Sequence, residues 1–585
     1  MTASVRAGVG TGAPPLADIS SAAGRRAFFS RRVVWGVLLL AVVGVVAFLP
    51  VLYVLVASFN LAPPHLPYKF GIDGWIEVYS NRKTWGSVLV TFILAARVPI
   101  AVVIAFVLCW LLVRVEIPGR RFIEMTLWFG FFLPGIPMTM GWILLLDSNY
   151  GLLNVATRKL IGQSIFSISS IPGIMWVHIA LTTVPVMVIL LAPAFRQFDS
   201  AFEEAAEVSG AGIWRTMCRI TIPLLAPALL TAFVASFIRS LETFEIEQII
   251  GAPTGIYVYG TRVYDLVFSD PPRFAQAMAV SSFFLIILFA LAVPYHMYLL
   301  RTANQATIAG RGVRLQSGTK PKWVYAVSAL VILYVVCTII LPFGVLIAGS
   351  FTRLFGFFFL ENPWTVNHWA TVLKDERFFN AAVTSVSLGV SSGIIGIIAF
   401  ALLAWVLVRT DIWGRGVISL LIWLPWAIPG LVLGLTLLSL ILTVPAFNMF
   451  NGTIFPLIFA LVLKELPVGV QLIRASLTQV SGQLEEAASV SGAGFMRIFI
   501  RVTLPLIAPT LVAVFLLTFA ATIRDISTIV LIAAPGLRTL SLVMFDYAAS
   551  GRFEAGAVLG VIVAAISLVM TVIAFRFGMK VGIGR

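Results

Sequence analysis

The stretch from Phe202 to Pro227 reads FEEAAEVSGAGIWRTMCRITIPLLAP, and the stretch from Leu484 to Pro509 reads LEEAASVSGAGFMRIFIRVTLPLIAP. Each sits between long apolar runs. In the first copy, Phe202 to Val208 favours helix, because alanine and glutamate are good helix formers and acids near a helix start complement its dipole. Ser209-Gly210-Ala211-Gly212 stops that helix, since glycine accepts the left-handed conformation that other residues resist. A second short helix then starts at Ile213. Pro223 is expected to end it, and Pro227 suits the first turn of the next apolar helix. The second copy keeps Glu485, Glu486, Ala487, Ala488, Gly492, Gly494, Pro505 and Pro509 in the same order. The product is a helix–turn–helix at a membrane surface, with Glu204 and the glycine turn exposed. One amphipathic loop could simply rest on lipid. Two copies with the same acidic start suit an anionic leaflet poorly and fit docking to a soluble partner.

The apolar surroundings set the fold class. The chain has 585 residues, 60% hydrophobic and only 11% charged, against about 25% charged in soluble proteins. Such a composition cannot build a water-facing exterior and places most of the chain in lipid. The net charge of +15 does not indicate nucleic acid, because the bases cluster beside apolar runs as the positive-inside rule requires. Cys109, Cys218 and Cys337 are scattered, as are the histidines, and form no metal spacing or disulfide framework.

Apolar runs of spanning length recur about twelve times. The expected cores are Val34–Ser58, Ser87–Val113, Met125–Leu146, Gly173–Pro193, Pro227–Ile250 and Met278–Leu300. After a basic linker come Tyr325–Ser350, Ala382–Val408, Val417–Leu442, Thr453–Ile473, Pro509–Ala533 and Gly556–Phe575. Frequent proline and glycine allow some runs to be broken or re-entrant. The run after Arg31-Arg32 is too long for a signal-peptide core and reads as the first span. With both termini in the cytosol, inner segments hold roughly twice as many bases as outer ones. Arg114, Arg120, Arg121, Arg409, Arg415, Lys580 and Arg585 then lie inside, as do both duplicated loops.

The halves repeat beyond those loops. WLLVRVEIPGRR from Trp110 parallels WVLVRTDIWGRG from Trp405, and Gly251-Ala252-Pro253 parallels Ala533-Ala534-Pro535. Leu133-Pro134 is matched with Leu424-Pro425. About six spans per half gives two parallel repeats around a pseudo-twofold axis along the membrane normal. The expected organisation is a cytosolic tail, 1–33, disordered by composition; a first unit, 34–300; a cytosolic linker, 301–323; and a second unit, 324–585. The fold class is thus an all-α polytopic membrane protein built as two parallel six-helix repeats.

Ionisable residues within spans cost roughly 2.5–3.5 kcal/mol on insertion scales and usually face a bundle interior or cavity. Arg97 falls in the second span, and Lys464 and Glu465 in the tenth. Arg239, Glu242, Glu245 and Glu247 lie toward the outer end of the fifth span, and Arg524 and Asp525 at the matching place in the eleventh. Local pairing, such as Arg239 with Glu242, accounts for some of these charges. Alternatively Arg239, Glu242, Glu245, Arg524 and Asp525 line a path along the axis. The carboxylates would suit a hard cation, which prefers oxygen ligands.

The duplicated loops carry a family resemblance. Glu204-Ala205-Ala206, Gly210 and Ile220-Thr221-Ile222-Pro223, with Glu486-Ala487-Ala488, Gly492 and Val502-Thr503-Leu504-Pro505, resemble the Glu-Ala-Ala motif of binding-protein-dependent ABC transporter permeases. The resemblance extends from about Val34 to the end. It is most similar to fused two-domain permeases of the ferric-iron type, on the stretches beginning at Phe237 and Thr522. It implies a bacterial inner-membrane subunit that imports a solute delivered by a periplasmic binding protein. Each loop would seat in one of two copies of a cytosolic ATP-binding subunit. Ferric iron is the first cargo implied, with thiamine, polyamine and phosphonate-type solutes as alternatives. No Gly-Lys-Ser/Thr phosphate loop is present, so ATP hydrolysis is expected on another chain, and no cofactor, metal or nucleic acid is called for. Major-facilitator secondary transporters also have about twelve helices and a basic central linker. They account for the short basic turns at Pro118-Gly119-Arg120 and Trp413-Gly414-Arg415, but give the paired Glu-Ala-Ala loops no role.

Overall fold

A computed structural model describes residues 22–64, 66–115, 117–302 and 321–576. Most of the N-terminal tail and of the 301–323 linker, together with Lys580 and Arg585, lies outside the described residues. The described chain is helical apart from turns and two isolated bridges, Asn60–Phe70 and Thr352–Trp364.

Among the described residues, nine helices are long and apolar enough to cross a membrane, or 12 when each of three bent pairs is counted as one span. In order, spans 1 and 2 are Val33–Ala57 and Arg82–Val115; span 3 is Arg120–Phe132 with Gly135–Leu146; spans 4 to 6 are Ile171–Gln197, Ile213–Leu241 and Phe274–Tyr295. Spans 7 and 8 are Lys322–Gly349 and Glu376–Arg409; span 9 is Arg415–Ala427 with Gly430–Thr443; span 10 is Phe455–Gln479; span 11 is Met496–Leu506 with Ala508–Arg524; span 12 is Phe553–Met570.

Spans 3 and 9 bend by 108° and 98°. In each, two extended residues ending in proline precede a new helix that starts with glycine: Leu133-Pro134 before Gly135, and Ile428-Pro429 before Gly430. Proline disfavours helical backbone in the residue before it, which ends the incoming helix. The match of Leu133-Pro134 with Leu424-Pro425 is therefore out of register. Leu424-Pro425 opens a short 3₁₀ turn, Leu424–Ala427, one turn earlier. Likewise, Pro223 does not end its helix. A π-helical turn, Met217–Thr221, precedes it and the helix continues to Leu241. In the second copy a similar turn, Phe499–Thr503, is followed by a 78° bend before Ala508.

The two halves interlock through their first helices. Span 7 crosses span 3 so closely that a Cβ on Gly141 would sit 2.3 Å from the Pro342 carbonyl oxygen. In the same way, a Cβ on Gly36 in span 1 would sit 2.4 Å from the Trp413 carbonyl oxygen before span 9. Small residues at such crossings let helix backbones approach, which is how helices gain packing energy in lipid. The repeat persists in detail outside the bundle. Trp75 donates its indole N–H to Ser58 and Trp369 donates to Ser350, both at 3.2 Å. Phe59 stacks on Trp75 and Phe351 on Trp369.

Candidate functional site: twin knuckles and an axial charge cluster

Both duplicated loops fold as helix–turn–helix knuckles. Ala201–Val208 and Gln483–Val490 form the first helices. Gly210 and Gly492 follow with φ of 78° and 81°, and the next N–H groups reach back to Ala206 and Ala488, closing a Schellman turn. Nothing lies within 4 Å of a Cβ built on either glycine. Glycine is needed there for its backbone angle rather than for space.

The motif residues themselves point outward. Glu204, Ala205 and Pro223 are exposed in one knuckle and Glu486, Ala487 and Pro505 in the other, with Ala206 and Ala488 half-buried in both. The neighbouring glutamates hold the knuckles in place, a role the sequence reading did not assign. Arg114, at the C-terminal end of span 2, pairs with Glu203 at 3.2 Å. Arg409, at the C-terminal end of span 8, pairs with Glu485 at 3.2 Å. Thr221 donates to Glu203 at 2.7 Å and Thr503 to Glu485 at 2.8 Å. The same arginines donate to the carbonyls of Phe198 and Val480. The signal was present, because Arg114/Arg409 and Glu203/Glu485 are all duplicated. Beyond the tether each knuckle presents apolar side chains to the open: Val208 and Val490 are each 90% exposed, and Trp214 and Met496 are also exposed.

Of the charges between the halves, Glu242, Glu245 and Asp525 lie where helices have stopped, whereas Arg239, Arg524, Lys464 and Glu465 lie within helices. Span 5 ends at Leu241, so Glu242, Glu245 and Glu247 lie beyond it, with Glu247 opening a π-helical turn. This corrects their expected position within the fifth span. Span 11 ends at Arg524, and Asp525 is its extended cap. Counting forward from the knuckles, Glu242 matches Arg524, Thr243 matches Asp525, Glu245 matches Ser527 and Glu247 matches Ile529. Glu245 accepts from the Ser527 backbone and feels Asp525, Lys464 and Arg524. Equivalent positions thus meet across the pseudo-twofold axis. The bent helices frame this meeting point: a Cβ on Gly135 would lie 3.5 Å from Glu245, and one on Gly430 would lie 3.0 Å from the Lys464 ammonium.

Arg239 and Glu242 approach only to 3.8 Å, a loose pair. Arg524 donates to the Phe131 carbonyl at 2.6 Å and lies over that ring, so it ties span 11 to the bend of span 3. Lys464 contacts Asp525 at 2.5 Å and Thr528 at 3.1 Å. Glu465 feels Arg239, Lys464 and Arg524. Glu247 belongs to another cluster, buried within the first half. It contacts His178 at 2.8 Å and accepts from Thr243 at 2.7 Å. Arg97 completes that cluster, donating to the carbonyls of Leu94 and Ser240. Each half therefore pins the segment after span 5 or 11 to span 4 or 10 with a base–acid pair. The pair is His178–Glu247 in one half and Lys464–Asp525 in the other. Among the described residues, no group of three or more His, Cys, Asp or Glu side chains could hold a metal ion.

Residues 378–581 match the family described as binding-protein-dependent transport system inner membrane component. Over 535 residues the chain is 22% identical to the "Fe(3+)-transport system permease protein FbpB 2" of Haemophilus influenzae, covering 89% of this chain and 94% of that one. The family match in the second half and the relative aligned along nearly the whole chain support a binding-protein-dependent ABC permease. This permease is also 25% identical over 401 residues to the "Ferric transport system permease protein FbpB" of Actinobacillus pleuropneumoniae, covering 67% of this chain but 56% of that one. That alignment spans little more than half of the relative's length. A further relative, the "Putative 2-aminoethylphosphonate transport system permease protein PhnV" of Salmonella paratyphi A, is 26% identical over 248 residues, covering 41% of this chain and 91% of that one. The permease is a multi-pass membrane protein in the fused two-domain form.

Proposed function

We propose that this permease is the membrane subunit of an ATP-driven importer, with ferric iron as cargo. The observation that carries the reading is the pair of knuckles with the same arginine–glutamate–threonine tether and the same exposed apolar tip. A tether to the inner ends of spans 2 and 8 lets a load on the knuckle pass directly into the bundle. Each tip takes one copy of a cytosolic ATP-binding subunit, with Glu204, Ala205, Ala206, Gly210 and Pro223 on one contact and Glu486, Ala487, Ala488, Gly492 and Pro505 on the other. Residues 34–300 and 324–585 act as the two permease domains, joined by a cytosolic linker, with both termini in the cytoplasm of a bacterial cell. A periplasmic binding protein delivers the cargo. Arg239, Glu242, Glu245, Arg524 and Asp525 border its path on the axis. The ferric relatives and the axial carboxylates support iron as cargo. Because one relative is named for a phosphonate, that solute is the second reading.

The test is uptake into proteoliposomes that contain the permease, its ATP-binding subunit and its binding protein. Labelled ferric iron should enter only with ATP inside the ATPase-accessible compartment. Entry driven by a proton gradient without ATP would refute the importer reading. ATP-dependent uptake of aminoethylphosphonate, thiamine or a polyamine instead of iron would refute the cargo. The permease alone should hydrolyse no ATP.

A further inference from the structure

The pseudo-twofold axis pairs unlike residues. Glu242 of the first half matches Arg524 of the second, and Thr243 matches Asp525. Counting back from the knuckles, Thr182 in span 4 matches Lys464 in span 10. The one lysine in this group reaches in from the second half only. Its ammonium lies 2.5 Å from Asp525 and 3.1 Å from Thr528. Asp525 is further fixed by the backbone N–H and the hydroxyl of Thr528, at 2.8 and 3.0 Å. The carboxylate is therefore a prepared oxygen site, and the lysine is the member of the pair carried on a flexible stem. A lysine ammonium sits on a flexible four-carbon stem and can withdraw, unlike a forked guanidinium.

Glu242 gives a second, independent pointer to a cation. Its side chain is 8% exposed, and its Oε1 accepts no hydrogen bond. It feels both Lys464 and Asp525. A buried carboxylate oxygen without a donor is costly and favours any cation that reaches it.

We propose that Lys464 is the specificity-determining counter-ion of the axial cluster: its ammonium holds the place on Asp525 and Thr528 that a hard cationic cargo takes as it passes. This rests on reading the cluster as the cargo path. Lys464 keeps the carboxylates neutralised at rest, so that small cations do not lodge between the halves. A multivalent cation displaces it; a monovalent one gains nothing by exchange. When the lysine returns, it expels the cargo toward the cytosolic side. Lys464 thus sets both selectivity and release.

The test is terbium(III) luminescence titration of the full chain in lipid nanodiscs. Terbium(III) is a hard trivalent probe that prefers oxygen ligands. Removing one positive charge a few ångströms from the site should tighten binding by at least about tenfold in Lys464→Met. Lys464→Arg, whose guanidinium does not withdraw from Asp525, should bind no more tightly than the native chain. Lys464→Met combined with Asp525→Asn should return to native binding, which separates the site from surface carboxylates. If Lys464→Met is not monodisperse, Lys464→Gln serves, because it can still donate to Asp525 without the charge. Equal affinity in the native and uncharged variants overturns the proposal, as does Lys464→Arg behaving like Lys464→Met. Iron uptake by the native complex tests the path reading separately. No uptake, with lysine-dependent terbium binding, refutes iron as cargo but supports the site. Normal uptake with lysine-independent binding overturns the role of Lys464 alone.

Discussion

Replacing Arg114 with alanine should loosen the first knuckle and leave the second unchanged. Arg114 makes an ion pair with Glu203 and donates to the Phe198 carbonyl. Its side chain is 7% exposed and that of Glu203 is 17% exposed, so solvent screens the pair only partly. Hydrogen bonds to charged groups contribute about 1.5–3 kcal/mol each. Loss of the paired charge should raise the open population of the knuckle by roughly 10- to 150-fold, taking about 1.4 kcal/mol per tenfold. Hydrogen exchange reads that population directly. Amides of 201–221 should exchange faster by that factor in Arg114→Ala, and those of 483–503 should not. Arg409→Ala should give the mirror result, since its pair with Glu485 has the same 3.2 Å separation. A double-mutant cycle with Glu203→Gln should show coupling of about 0.5–3 kcal/mol, as for contacting residues. Exchange unchanged within twofold in both single variants would refute the tether.

Other perturbations follow from single sites. Gly210→Val or Gly492→Val forces a β-branched residue to a φ near 80°, costing roughly 1–2 kcal/mol; retention of the ATP-binding subunit during purification should fall, while yield of the isolated permease holds. His178→Ala leaves buried Glu247 with Thr243 but without its histidine partner, and a buried acceptor short of a partner costs about 1–3 kcal/mol; thermal unfolding in detergent should shift down, and an unshifted transition would contradict the pairing. Gly141→Val pushes a side chain into the Pro342 carbonyl; correctly folded yield should collapse, whereas Gly416→Val, with open space around it, should not.

The sequence announced the repeat because each copy places the same residue types around a glycine stop. It also announced the number of spans, since hydropathy counts length well. It could not show direction. Proline and glycine allowed some runs to be broken, but they did not single out Met125–Leu146 and Val417–Leu442, because an apolar window looks the same on both sides of a bend. Only the extended pairs Leu133-Pro134 and Ile428-Pro429 reveal it, and the second was masked by the nearby Leu424-Pro425. The knuckle glutamates were nearly legible: Glu204 and Glu486 carry the family motif, but the tether uses Glu203 and Glu485, which face the bundle. His178 had no sequence signal, because a lone histidine on an apolar helix looks the same whether it packs or pairs. Its meaning comes from Glu247, far along the chain, on a segment that had looked like the end of a helix. The axial residues stood out in the sequence as charges within apolar runs, yet their unlike pairing across the axis needed both bent helices to be in place.

The most direct measurement is photo-crosslinking from a reactive side chain placed at Val208 or at Val490 in the assembled complex. Both positions are exposed at knuckle tips and so should each capture an ATP-binding subunit, with the yield changing between nucleotide-free and ATP-bound states. Capture of lipid alone at both positions, with the complex intact and transporting, would contradict the account.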